Sequence, residues 1–313
     1  MTQSKAQSAA LEPAAEAAPA ALAWSTRLAV VILLALVAVR TLNAAALFPR
    51  LTNDTSEFST RARALPHTGE VRFEATDGTR LYGWVTGLDT APRKILFTCG
   101  NGGHVPGNGE RMADVARALD AQVLVFDYRG YYLSEGSPSE GGLYKDARGA
   151  WLFATGQLGW KPSQIVVWGH SLGAAVAIAL VHDLEADEAR RREVFGAGYG
   201  RATKPAALIV ESPFSSAADM SRRQFGYLGI AHWLLYASFD NVRRAGEMTV
   251  PAFVMHGQAD EIIPFDMGEK VFAAFRNARG HLWIRNGNHN GLWGLHKVVI
   301  TSALEQFLSE LRN

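Results

Sequence analysis

Six short apolar runs, at 94–98, 122–126, 165–168, 207–210, 252–255 and 282–284, recur along this chain with helical candidates between them. Runs this brief, mostly β-branched and apolar throughout, are the pattern of strands buried on both faces. The intervening segments 109–119, 143–157, 172–184, 267–275 and 297–311 read as helices. Such alternation calls for parallel pairing, because a parallel neighbour can be reached only through a crossover. Ahead of it, 70–74 and 80–85 alternate in character about Thr76-Asp77-Gly78-Thr79, a hairpin signal. The expected architecture is therefore α/β: a twisted, mainly parallel sheet with helices on both faces, binding ligands beyond the carboxyl ends of its strands.

Composition narrows what such a sheet could serve. With 48% hydrophobic and 19% charged residues, a chain of 313 residues can bury a large core, and no domain seam is visible after residue 65. Lys and Arg number 31 against 30 Asp and Glu, so no basic excess exists to attract nucleic acid. Cys99 is the single cysteine, which excludes an intramolecular disulfide, and no Cys/His pairs occur at zinc spacing. No metal or other cofactor is expected, and nothing in the sequence bears on oligomeric state.

The N-terminus reads differently from the body. Residues 1–27 are alanine-rich and polar without strand periodicity, a flexible tail. Segment 28–48 opens with about a dozen uninterrupted apolar residues, short of the roughly 20 that cross a bilayer, and is extended by the mostly apolar 41–48 if Arg40 snorkels. We read it as an uncleaved, single-pass membrane anchor, with Arg27 and Lys5 on the cytoplasmic side. The rival is a cleaved signal peptide and export, for which Ala44-Ala45-Ala46 offers a site. Residues 65–313 then form the main domain. Within it, 183–203 looks like a solvated helix end and a flexible insertion, and the aromatic stretch 214–245 is either a small cap over the site or an ordinary helical crossover.

The run at 165–168 leads straight into Gly169-His170-Ser171-Leu172-Gly173 and a small-residue helix. In such a strand-turn-helix elbow the serine takes a strained backbone conformation with its hydroxyl exposed, and the two glycines leave room for the turn. A serine hydroxyl becomes a nucleophile only when an imidazole takes its proton, and the imidazole needs a carboxylate to hold its tautomer. His256-Gly257-Gln258-Ala259-Asp260 follows the run at 252–255, so Asp260 lies on a loop at a strand's carboxyl end and is the candidate acid, while adjacent Glu261 is expected to point elsewhere. After the last run, Asn286-Gly287-Asn288-His289-Asn290-Gly291 puts His289 in a polar loop able to reach over the sheet. Among nine histidines the others fall in worse positions: His170 inside the elbow, His256 at a strand end, His281 before the last strand. Backbone donors for a developing oxyanion are sought at Leu172, after the nucleophile, and at Asn101 in Cys99-Gly100-Asn101-Gly102-Gly103. A phosphate-cradling reading of that glycine loop lacks its Gly-Lys-Ser/Thr ending.

The elbow, the His256-to-Pro264 segment and, above all, Asp127-Tyr128-Arg129-Gly130-Tyr131 running on to Ser134-Glu135-Gly136-Ser137-Pro138 resemble the α/β-hydrolase superfamily, and within it the bud-emergence-type branch of membrane-anchored proteins. The resemblance spans roughly residues 70–310 and implies the α/β-hydrolase fold, a cofactor-independent serine hydrolase, and Ser171, Asp260 and His289 as its triad. It implies hydrolysis of an ester, small or lipid-like, by an acyl-enzyme route. A thioesterase or peptidase of the same fold and a catalytically silent, membrane-bound interaction protein are the alternatives. Two departures stand out: Cys99 replaces the family's usual histidine before Gly100-Asn101, and Tyr132-Leu133 are bulkier than in relatives.

Overall fold

A computed structural model describes residues 55–226 and 237–311, together with residue 26, residues 29–31 and Phe48. The anchor assigned to 28–48 lies almost wholly outside the described residues. Among those described, no helix is long and apolar enough to cross a membrane.

Eight strands form one sheet: β1 (Thr68–Glu74), β2 (Arg80–Thr86), β3 (Arg93–Thr98), β4 (Ala121–Phe126), β5 (Ile165–His170), β6 (Ala207–Glu211), β7 (Ala252–Gly257) and β8 (Ala278–Ile284). Their spatial order is β1-β2-β4-β3-β5-β6-β7-β8. The hairpin β1/β2 and the β2/β4 pair are antiparallel, and every later pairing is parallel. Strands β4 to β7 are almost entirely buried because helices cover both faces. This is the mainly parallel sheet that the six runs predict, with β8 starting four residues earlier than the apolar pattern and including His281.

On one face lie α1 (Phe58–Ala64) and α2 (Val105–Ala118), which are in contact, and α9 (Leu292–Glu310), tied to α2 through Trp293 and Lys297 on Asp114. The other face carries α3 (Glu140–Gly156), α4 (Leu172–Glu185), α7 (Asn241–Glu247) and α8 (Phe265–Ala274). Helix α4 is small-residued and almost fully buried, the central rib against β5 and β6.

Helix starts depart from the sequence pattern where caps act. Helix α2 begins four residues early because the His104 ring accepts the Gly107 amide and Pro106 occupies the first turn, where a missing N–H costs nothing. Ser139 caps α3 in the same way through Gly142. Helix α9 begins at Leu292 instead of residue 297, across a non-helical His296 that breaks its periodicity. Segment 183–203 is not the flexible insertion expected. It forms α5 (Glu188–Phe195), capped by Asp187, and a 3-10 turn Gly196–Arg201, with Phe195 buried and the Arg201 carbonyl accepting Trp151 Nε1.

The cap candidate 214–245 is described only at its flanks, α6 (Ala217–Phe225) and residues 237–245. The second flank is bound to the start of α3: Glu140 accepts the amides of Ser238 and Phe239, and the Phe239 ring meets Phe214, Tyr144 and Phe48.

Candidate active site

Strand β5 ends at His170, and α4 starts at Leu172. Ser171 between them is left at φ 56°, ψ −119°, a left-handed conformation that a non-glycine residue holds only when its surroundings enforce it. Those surroundings are backbone. A Cβ on Gly169 would stand 2.2 Å from the Gly173 carbonyl oxygen, and one on Gly173 would stand 2.0 Å from that of Thr98. The Ser171 amide donates to the Glu211 carbonyl at the end of β6 (2.9 Å), pinning the elbow to its neighbouring strand. The hydroxyl is less open than expected: Ser171 keeps 9% of its surface.

Three side chains separated in sequence converge there. Ser171 Oγ lies 2.9 Å from His289 Nε2, and His289 Nδ1 lies 2.8 Å from Asp260 Oδ2. With Nδ1–H donated to the carboxylate, Nε2 is left as the acceptor that faces the Ser171 hydroxyl. Asp260 Oδ1 accepts the amides of Ile262 and Ile263. Burial alone would raise the Asp260 carboxyl, but hydrogen bonds from His256, from His289 and from the Ile263 amide outweigh it and hold it far below the carboxylate range. Glu261 does not point away from the site as expected, since its carboxylate accepts the His289 amide at 3.2 Å. From the elbow side, His170 Nε2 donates to the His289 carbonyl (3.1 Å), so His289 is held at both its backbone amide and its backbone carbonyl.

Beneath the elbow lies a charged layer. Glu211 is fully buried, and its Oε2 accepts both Arg111 (2.5 Å) and Trp168 Nε1 (3.1 Å). Burial pushes His170 down to about 4, against the pull of Glu211 and with the push of Arg111 and His289, so it is neutral near pH 7.

The glycine loop after β3 runs beside the serine. A Cβ on Gly100 would meet the Ser171 Cβ at 3.4 Å and His170 Nδ1 at 2.9 Å. Three groups of the Asp127-to-Tyr131 segment hold this loop: Tyr128 Oη donates to the Cys99 carbonyl (3.0 Å), Tyr131 Oη to Asn101 Oδ1 (2.7 Å), and Asp127 Oδ1 accepts the Val105 amide (2.8 Å). Arg129 turns the other way and clamps Asp146 on α3 and Asp77 in the β1–β2 turn. The most distinctive stretch of the sequence is thus scaffold for the loop, a role invisible in sequence because its partners lie 22 to 30 residues away. The Cys99 thiol is buried, lies 3.5 Å from the Phe126 carbonyl, and is pushed up by that burial, so it serves as packing. Leu172, the first residue of α4, has an amide with no acceptor inside its own helix. Among the described residues, no group of three His, Cys, Asp or Glu side chains could hold a metal ion.

No family model matches the chain. It is similar to the uncharacterized protein Rv2307c of Mycobacterium tuberculosis, with 33% identity over 79% of this chain and 81% of that one. It is also similar to the lysophosphatidylserine lipase ABHD12 of Danio rerio, with 32% identity over 60% of this chain, which spans about half (49%) of that protein's length. Among solved structures, an alpha-beta hydrolase from Vibrio vulnificus shares the fold at a TM-score of 0.61, with 21% identity over 84% of this chain and 92% of that one. The eight-stranded sheet and its strand order, shared with that structure, give the chain the α/β-hydrolase fold, and its identity to Rv2307c over most of both chains places the two proteins in one family.

Proposed function

We propose that the chain is a serine hydrolase that cleaves a carboxylic ester through an acyl-enzyme. The observation that carries this reading is the unbroken path from Ser171 Oγ to His289 Nε2 (2.9 Å) and from His289 Nδ1 to Asp260 Oδ2 (2.8 Å) at the carboxyl end of the sheet. The first contact falls within the range expected of a nucleophile and its general base, and the second within that of a base and the carboxylate that orients it. Ser171 Oγ attacks the ester carbonyl while His289 takes its proton, and the carbonyl oxygen gathers negative charge. The Leu172 amide, with Asn101 as the second donor, receives that charge. The imidazolium, faced by ionised Asp260, then protonates the leaving alcohol. Water enters, gives a proton to His289, and releases the acid while Ser171 regains its hydrogen. No cofactor takes part.

A lipid-like acyl ester is the substrate class favoured here. ABHD12 is named as a lysophosphatidylserine lipase, and an anchor at 28–48, following a tail at 1–27, would hold the 65–313 domain beside a bilayer. In this reading stretch 214–245 is the cap, and the resemblance of the Asp127-to-Tyr131 segment supports a place in the bud-emergence-type branch. The test is labelling with a fluorophosphonate probe, followed by an ester series of increasing acyl length. The probe is expected on Ser171 in the wild type and absent from Ser171→Ala. An unlabelled wild type with no turnover of any ester contradicts the proposal.

A further inference from the structure

The acid loop contains a second histidine that the proton path does not use. His256 is the second-to-last residue of strand β7 and is completely buried. Its Nε2–H is aimed at the Ile263 carbonyl at 3.0 Å, with Asp260 Oδ2 alongside at 3.2 Å. Oδ2 is the oxygen that receives His289, so one carboxylate oxygen sits between two imidazoles. Ile263 in turn gives its amide to Asp260 Oδ1, which closes the loop around a single ring.

The ring is held in one tautomer and one place. Both acceptors lie at Nε2, which therefore carries the proton. Nδ1 has no hydrogen-bond partner and faces α8, where a Cβ on Gly268 would come within 2.3 Å of it. Phe265 abuts the ring edge-on at 5.8 Å. An unpaired buried nitrogen carries a free-energy penalty that an apolar side chain of the same size would avoid, so packing alone does not account for a histidine here.

We infer that His256 is a positioning residue for Asp260: it ties down the 260–263 loop and presents a second N–H to the oxygen that receives His289, setting where the carboxylate stands and how strongly it grips the base. This rests on the reading of Ser171, His289 and Asp260 as the triad. The His256 and His289 rings beside Oδ2, with the Ile263 amide on Oδ1, keep the buried carboxylate ionised against the cost of burial. The carboxylate is thereby charged before the imidazolium forms, and the loop does not have to reorganise to meet it.

Two variants of the full chain test this by the pH dependence of kcat/KM for ester hydrolysis. His256→Leu keeps the bulk and removes the donor, whereas His256→Gln returns an amide N–H near the same acceptors. The other charged or titratable groups facing the base, Asp260, Glu261 and His170 with Glu211 and Arg111 behind it, are the same in both. His256→Leu is expected to lower kcat/KM about tenfold, mainly in kcat, the loss of one charge-assisted hydrogen bond. Its acid limb is expected to move up by about half a pH unit, because a carboxylate relieved of one N–H holds the imidazolium proton more tightly. His256→Gln is expected to restore both. If the leucine variant does not fold, Gly268→Ala applies the same test by pushing the ring off its acceptors, with the same upward shift expected. Equal losses in the leucine and glutamine variants, or an acid limb unmoved in the leucine or the Gly268→Ala protein, overturn the inference. Fluorophosphonate labelling of the wild type separates the two levels: no label overturns the triad reading itself, while full labelling with an unmoved limb overturns only the role of His256.

Discussion

The two sides of the site are built by different physics. On the nucleophile side, Ser171 is held by what is missing: Gly169 and Gly173 let β3, β5 and α4 come so close that any added methyl would strike a carbonyl oxygen. On the acid–base side, Asp260 accepts the amides of Ile262 and Ile263 with the His256 ring beside its Oδ2, and His289 is held by His170 on its carbonyl and Glu261 on its amide. Steric fixation is rigid and indifferent to pH. Hydrogen-bonded fixation is adjustable and titratable, and it is the side from which the proposed reaction would move its protons. A change on the first side should therefore cost folding, and a change on the second should cost rate.

The contrast orders the expected outcomes. Asp260→Asn keeps the shape of the acid loop but cannot hold the reactive tautomer of His289, so kcat should fall by about four orders of magnitude with the melting temperature changed little, as measured by ester hydrolysis beside a thermal scan. Gly173→Ala should do the reverse. Its methyl would stand 2.0 Å from the Thr98 carbonyl oxygen, and overpacking of at least about 3 kcal/mol should lower the melting temperature by roughly 6 °C or more or prevent folding.

His170 sits on the boundary between the two sides and should reveal itself by acid. Its folded-state value of about 4 lies below its ordinary 6.5, so in that window the unfolded chain binds a proton that the folded chain refuses. Stability is lost as pH falls through 6.5 and the loss is complete near 4, amounting to at most about 3 kcal/mol. Urea unfolding at both ends of the window should show this slope in the wild type and a flatter one in His170→Gln. The smallest effect is expected from Tyr131→Phe, which frees Asn101 Oδ1 from a 2.7 Å hydrogen bond. A loss of about 1 kcal/mol in transition-state stabilisation, roughly fivefold in kcat/KM, with KM and melting temperature nearly unchanged, would mark the tyrosine as support for the loop beside Ser171.

Much of this was legible in the sequence because it is written locally. Buried parallel strands announce themselves as apolar runs, and the serine, aspartate and histidine each sit next to the end of a run, so order and strand-end position sufficed to nominate Ser171, Asp260 and His289. What escaped was whatever depends on a partner far along the chain. The tyrosines at 128 and 131 look like core aromatics until their hydroxyls are seen on the loop after β3. His256 looks like a strand-end residue because nothing in a spacing of four shows that the following loop folds back over its ring. Glu261, expected to point elsewhere, holds the amide of His289. Helix starts were missed for a related reason: the caps at His104 and Ser139 are side-chain hydrogen bonds that periodicity does not record.

The acyl-enzyme itself offers the most direct measurement. Wild-type protein quenched during turnover of an activated ester, digested and weighed by mass spectrometry should carry one acyl group on the peptide containing Ser171, and His289→Ala should carry none under the same conditions. Product formed with no acyl group on that peptide, or an acyl group on some other residue, would contradict nucleophilic attack by Ser171.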